Sequence, residues 1–402
     1  MQSKASELNR YYHISDSPVY EIIKTIQTNT AIQSGVFKAR NCQDNNFYVL
    51  KMYSKTRNFG EVTCNVDMIS HPSFIRLVES FPNANFPPDL IRPLRGKQEL
   101  VIVFPYMRNG SIGNYCEGTK KFKDNHIFPS PPIIIWILGT AIGIEYMHRN
   151  NFCHRDIKPS NILLDGNLYP KISDFEFTKF IPQGSDAKLN SNLGTFLYKA
   201  PEIEKVNSGS GQSEYTSQCD VFSFGILLFV ILLRYTPKNQ EEVLLSLKNL
   251  FTNDYSKFNI PIHFAILIAL CLNNEPKKRP TFKEIVKILL RPEFTLLNSN
   301  EERIFHYLSE IIPDYKTDAD FKKLVDYRNS VFSNENGCFE EYEKISKDPF
   351  YDLSFYQNAD FNQTFLDWEI NPIKVKFEFV KSEIKCIFLN LHLKKGKNQK
   401  LY

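Results

Sequence analysis

The string HRDIKPSN, His154–Asn161, sets three chemically complementary side chains on one short stretch. Asp156 is a carboxylate that can accept a proton from a hydroxyl. Asn161, further along the same loop, offers an amide oxygen to a metal ion, and Lys158 between them can neutralise charge on a group in transit. A later segment, PKISDFEFTKF (Pro170–Phe180), adds the carboxylate of Asp174. Magnesium prefers hard oxygen ligands, and a few from protein suffice when phosphates supply others. Phosphoryl transfer from ATP asks for this equipment: a base, metal-held phosphates and positioning, with little covalent chemistry from the protein.

These residues need elements to hold them. From Tyr20 to about Tyr53 the chain favours strands. FYVLKMY (Phe47–Tyr53) is a β-branched and aromatic run bounded by QDNN, and it carries Lys51. A short helical stretch follows and stops at His71-Pro72. FIRLVESF (Phe74–Phe81) and LVIVFPYM (Leu100–Met107) read as strands, with a proline-rich surface loop between them. From Pro131 the pattern turns helical. Paired prolines open PPIIIWILGTAIGIEYMH, Val221–Leu233 and Ile262–Leu272 are apolar helices, and Thr281–Leu290 sets Phe282, Ile285, Val286, Ile288 and Leu289 near one face. Past Arg291-Pro292 the signal weakens: Glu301–Ile312 and Asp318–Phe332 read as helices and Ile373–Val380 as a strand. The fold class is α+β, a small strand-rich half before a larger helical half.

The same strings, in the same order, resemble the eukaryotic protein kinases. The resemblance implies a bilobal fold over residues 20–292, with an N-lobe at 20–104, a hinge at 105–107 and a C-lobe at 108–292. A polar leader at 1–19 precedes it, and an extension of uncertain structure at 293–402 follows. It makes Asp156 the base, Lys158 the cation on the moving phosphoryl group, Asn161 and Asp174 the magnesium ligands, and Lys51 the anchor of the α- and β-phosphates. GTFLYKAPE (Gly194–Glu202) matches the close of an activation loop, and CDVFSFG (Cys219–Gly225) the buried helix whose Asp220 ties down the catalytic loop. Arg279 of KKRPTF is implied to pair with Glu202 as a structural ion pair. Lys158 and Thr195 follow the serine/threonine pattern, in which the threonine contacts the catalytic aspartate and lysine. YMRNGSI and RPTFKEIV resemble the tyrosine-kinase-like group. Phe104 falls at the gatekeeper position, with Pro105, Tyr106 and Met107 as hinge. Proline lacks only the N–H, so the Pro105 carbonyl still accepts from adenine and Met107 donates and accepts. ATP and Mg2+ are the implied cofactors and proteins the implied substrates.

Four features depart from or qualify the family pattern. Anchored on Val36, the three places for phosphate-loop glycines fall at Asn29, Ala31 and Ser34. Glycine lets backbone approach phosphate closely, so weaker ATP binding is expected. Glu61 is the candidate partner of Lys51, but it stands one residue further from His71 than the family spacing, and Val62 takes the usual place. Glu176 replaces the glycine after Asp174-Phe175; ordinary negative φ remains open to it, so it removes flexibility rather than chemistry. Ser191 is a candidate phosphorylation site in the activation loop, where a phosphate could pair with Arg155. Two readings stay open: a working enzyme, or a kinase-shaped scaffold with weak or no turnover.

Bulk composition narrows the alternatives. The chain has 402 residues, 42% of them hydrophobic, with 23% charged and a net charge of +4. That is enough for a sizeable core, and too mild a charge for nucleic-acid binding as the main role. The basic end LKKGKNQK reads as solvated. The eight cysteines stand at neither zinc-ligand nor redox-pair spacing, which fits reduced thiols in a cytoplasmic protein. The greasiest run, Val221–Leu233, is short for a bilayer span, and the start has no apolar core of a secretory signal.

Overall fold

The structure is a computed structural model. It describes residues 11–12, 20–29, 34–54, 70–82, 98–117, 131–181, 195–203, 216–252, 262–291, 294–296, 299–312, 322–323, 325–326 and 328. The chain divides into two compact units, Met1–Ser70 with Phe74–Asn109, and His71–Ser73 with Gly110–Tyr402.

The first unit is an antiparallel sheet of six strands. These are β1 (Tyr11–Tyr12), β2 (Tyr20–Asn29), β3 (Ser34–Asn41), β4 (Phe47–Ser54), β5 (Glu79–Pro82) and β6 (Gln98–Pro105), ordered β1-β2-β3-β4-β6-β5. Strand side chains alternate between faces, and the sequence obeys that period. Phe37 and Ala39 of β3, Leu50 and Met52 of β4, and Val101 and Val103 of β6 join Tyr20 and Ile22 in one buried cluster. Fully burying a side chain of this size contributes roughly 1.5–3 kcal/mol. The alternate residues Val36, Lys38, Val49 and Lys51 are only half-buried and share the other face. Register pairs Val36 with Lys51 and Lys38 with Val49.

The second unit is helical. It contains α1 (Ile112–Cys116), α2 (Ile133–Arg149), α3 (Gln218–Leu233), α4 (Gln240–Thr252), α5 (Ile262–Cys271) and α6 (Phe282–Leu289). Two short sheets accompany them: β7 (Phe152–Cys153) with β10 (Lys179–Phe180), and β8 (Ile162–Leu164) with β9 (Pro170–Ile172). α2 and α3 are apolar on nearly every side and run through the core, as the all-round apolar pattern requires. Gly225 lets α3 and α5 approach closely: a Cβ there would come within 2.8 Å of Cys271 Cβ. α6 begins with a capping box in which Thr281 and Glu284 satisfy each other's backbone N–H.

A further helix, α7 (Glu301–Ile311), is built into this unit. Its Tyr307 is fully buried and meets Tyr169 with ring centroids 4.5 Å apart. A Cβ on Gly139 of α2 would overlap the Tyr307 hydroxyl. The carbonyl of Ile311 lies 3.0 Å from His71 Nε2, and Arg328 clamps Glu301 with Nε and Nη2, each at 3.0 Å. The turn His71–Ser73 thus belongs to the helical unit, and Ile172 N donates to Ser73 O at 2.7 Å.

Three expectations change. Within the polar leader a strand forms, because Tyr11 and Tyr12 pair with Glu21 and Tyr20 of β2. Of Phe74–Phe81, only the end forms a strand, Glu79–Pro82, with Val78 N just before it donating to Val103 O at 2.9 Å. α4 was not anticipated; among its described residues only Val243 and Leu247 are buried, so its apolar stripe is narrow.

Candidate active site

Asp156 lies at the centre of a tight polar cluster in the helical unit. Its carboxylate is almost fully buried. Lys158 Nζ donates to Asp156 Oδ2 at 2.6 Å and to Thr195 Oγ1 at 3.0 Å, while the Thr195 hydroxyl donates to Asp156 Oδ1 at 3.4 Å. Asn161 Nδ2 donates to Asp156 Oδ2 at 2.9 Å and to its carbonyl at 2.8 Å. The Asn161 amide nitrogen is thereby committed, which leaves Oδ1 as the atom suited to a cation. The loop is short enough to converge because Pro159–Asn161 forms a 3-10 turn directly before β8.

The loop is suspended from α3. The backbone N–H groups of His154 and Arg155 each donate to Asp220 at 2.8 Å, and His148 Nε2 lies 2.9 Å from the same carboxylate. Burial would raise the Asp220 pKa, but the hydrogen bonds from His148 and the Arg155 backbone N–H help to outweigh it, so the carboxyl stays below its usual range. Arg155 takes a left-handed backbone (φ 69°) to make this connection.

His154 is a strut. Its Nδ1 accepts from Asp156 N at 3.3 Å, which fixes Nε2 as the donor to Ser173 O at 3.1 Å. Ser173 in turn donates to Asn161 O through both N and Oγ, each at 2.9 Å. One serine therefore ties the Asn161 segment to the residue before Asp174. Asp174 itself is half-buried in a left-handed conformation (φ 68°) at the start of a 3-10 turn, Phe175–Phe177. Phe175 is buried with its ring edge-on to His154 at 5.9 Å. Glu176 lies inside that right-handed turn with a negative φ, so this backbone asks for no glycine.

Thr195 is followed by a 3-10 turn, Phe196–Tyr198. Gln240 at the start of α4 donates to the carbonyls of Leu197 and Lys199 at 3.1 and 2.7 Å. Glu202 and Arg279 form a bidentate pair with both N–O distances 2.7 Å, and the Arg279 side chain is buried.

In the strand unit, β4 carries Lys51 opposite Val36 of β3 and Ile102 of β6. Phe104 and Pro105 end β6, paired with Val49 and Tyr48, and Met107 follows half-buried. Asn29 and Ser34 face each other across the β2–β3 pair.

A family model described as protein kinase domain matches residues 32–289, well over half of the chain. The chain belongs to the protein kinase family. A probable serine/threonine-protein kinase of Arabidopsis thaliana, PBL28, is 30% identical over 272 residues, covering 60% of this chain and 66% of that protein. The dual specificity protein kinase shkB of Dictyostelium discoideum is 32% identical over 197 residues, 47% of this chain and 29% of the relative. A probable inactive serine/threonine-protein kinase of the same organism is 35% identical over 172 residues, 40% of this chain and 14% of the relative. The kinase chain spans less than two thirds of the length of each of these relatives.

Glu61, Ala31 and Ser191 of this kinase lie outside the described residues. Ser173, His148 and Gln240 were missed by sequence reasoning; they hold the site through contacts distant in sequence. Among the described residues, one group of three metal-capable side chains exists, His148, Cys153 and Asp220. It is a poor metal site, because both Asp220 oxygens already accept backbone N–H groups. The Cys153 thiol is also held well above its usual range by its hydrogen bond with Cys219 and by burial. No helix among the described residues is long and apolar enough to cross a membrane.

Proposed function

We propose that this kinase transfers the γ-phosphate of ATP to serine or threonine hydroxyls of protein substrates. The observation that carries the reading is the convergence of Lys158, Thr195 and Asn161 on the single buried carboxylate of Asp156. Asp156 takes the hydroxyl proton. Lys158, within hydrogen-bond reach of that carboxylate, offsets the charge of the group being transferred, and Thr195 keeps both in place. Lys51 anchors the α- and β-phosphates, and the Pro105 carbonyl and Met107 backbone receive adenine. Asn161 Oδ1 and the Asp174 carboxylate are hard oxygen donors and suit Mg2+. Held there, Mg2+ would offset the charge of the phosphates. The five free thiols among the described residues fit a reducing compartment such as the cytoplasm.

A second reading, a kinase-shaped scaffold with weak or no turnover, has a specific motive. Asn29 and Ser34 stand at the two ends of the phosphate loop where the family has glycine, and one relative is described as probably inactive. Thermal melting with and without ATP and Mg2+, together with an autophosphorylation assay, separates the two readings. A ligand that binds the folded state raises the melting temperature by mass action. The enzyme reading expects a rise and phosphate incorporation; a rise without incorporation supports the scaffold.

A further inference from the structure

The half-buried face of the sheet that carries Val36 and Lys51 also carries Lys38, two residues along β3. Its ammonium lies 4.0 Å from the centroid of the Phe47 ring and 4.1 Å from that of Tyr106. The two rings meet edge to face with centroids 6.4 Å apart. Phe47 begins β4 and Tyr106 is the middle hinge residue, whose backbone N donates to Phe47 O at 3.1 Å. Tyr106 is thus held at its backbone by one residue and at its ring by a cation that touches both.

The site is not a neutral resting place for an ammonium group. Lys24 stands opposite Lys38 across the β2–β3 pair. Burial and the positive charges of Lys24 and Arg108 all disfavour its charged form. A cation over an aromatic face is attracted by the ring quadrupole, more so when partly desolvated, and two faces offset the repulsion.

We propose that Lys38 is a positioning residue for nucleotide binding: clasped between Phe47 and Tyr106, it fixes the hinge so that the Pro105 carbonyl and the Met107 backbone are preset for adenine. This rests on the reading of residues 105–107 as the nucleotide hinge. Tyr106 lies between the two contacting residues, so fixing its ring and its N–H restricts the backbone on both sides. A preset site avoids an ordering cost on binding. Asp156 is in the other unit, so the effect falls on ATP affinity rather than on the chemical step.

The test measures KM for ATP and kcat for wild type, K38Q, Y106L and the double variant, with melting in the absence of nucleotide as the fold control. K38Q and Y106L each raise KM by about five- to tenfold while kcat moves far less, and the double variant raises it no further than either alone, because the two residues act as one unit. An unchanged KM in K38Q, or additive effects in the double variant, overturns the clasp. If K38Q melts far below wild type, K38R decides: the guanidinium keeps a cation over both rings, so wild-type KM is expected and a tenfold rise overturns the proposal. The wild-type melting shift with ATP is recorded first. If wild type shows no shift, it is the nucleotide reading that fails; a shift together with an indifferent Lys38 removes the clasp alone.

Discussion

Lys158 Nζ and Asp156 Oδ2 are 2.6 Å apart, with the carboxylate buried and the ammonium reaching partly to solvent. In the proposed mechanism this short separation holds the cation beside the base, where charge builds during transfer. Replacing Lys158 by Ala is expected to lower kcat by about 10²- to 10³-fold, the range seen when one preorganised charge or donor is removed. The melting shift on adding ATP should persist, since Lys158 is not an adenine or phosphate anchor. Single-turnover rates beside melting curves check both halves.

The Tyr307 ring lies against Tyr169, with its hydroxyl at the notch left by Gly139. α7 is therefore part of the helical unit's core and not an appendage. Tyr307→Ala is expected to destabilise the protein by about 3 kcal/mol, as for other large aromatic truncations. Urea denaturation measures this, and an unchanged midpoint would show that α7 is dispensable.

The catalytic segment was readable because its residues are contiguous and their spacing is itself the chemistry. The helices α2, α3 and α5 were readable because their apolar runs are long, and α6 because its apolar residues share one face. What escaped the sequence depends on distant partners. Ser173 matters because its N and Oγ reach Asn161, and nothing local marks it. Phe74–Leu77 carries strand-forming side chains, yet the strand begins only at Glu79, where pairing with β6 starts. β1 has two paired residues and no pattern of its own. Glu176 looked disruptive only by comparison with a glycine that this backbone does not need.

That backbone makes Glu176→Gly informative. A glycine in a right-handed turn adds flexibility without relieving strain, so it should cost about 0.5–1 kcal/mol of stability and leave the rate of phosphate transfer unchanged. A large gain in rate would mean that the glutamate holds the enzyme back.

His263 in α5 is buried against Phe294, and burial pushes its pKa down from 6.5 to about 4. The unfolded chain takes up the proton at higher pH than the folded one. Stability is therefore unaffected by this group above about pH 6.5 and falls as pH drops towards 4, by about 3 kcal/mol in all. His263→Leu should flatten the urea-midpoint curve of wild type between pH 6.5 and 4. Parallel curves for the two proteins would contradict this.

The central claim is that the buried carboxylate of Asp156 accepts the substrate's proton. Asp156→Asn is nearly isosteric and can still accept hydrogen bonds from Lys158 and Asn161 through its carbonyl oxygen, so melting temperature and the ATP-dependent melting shift should be close to wild type. Transfer of phosphate from labelled ATP to protein serine or threonine should fall by about 10²- to 10⁴-fold. Equal transfer by wild type and Asp156→Asn would contradict the account.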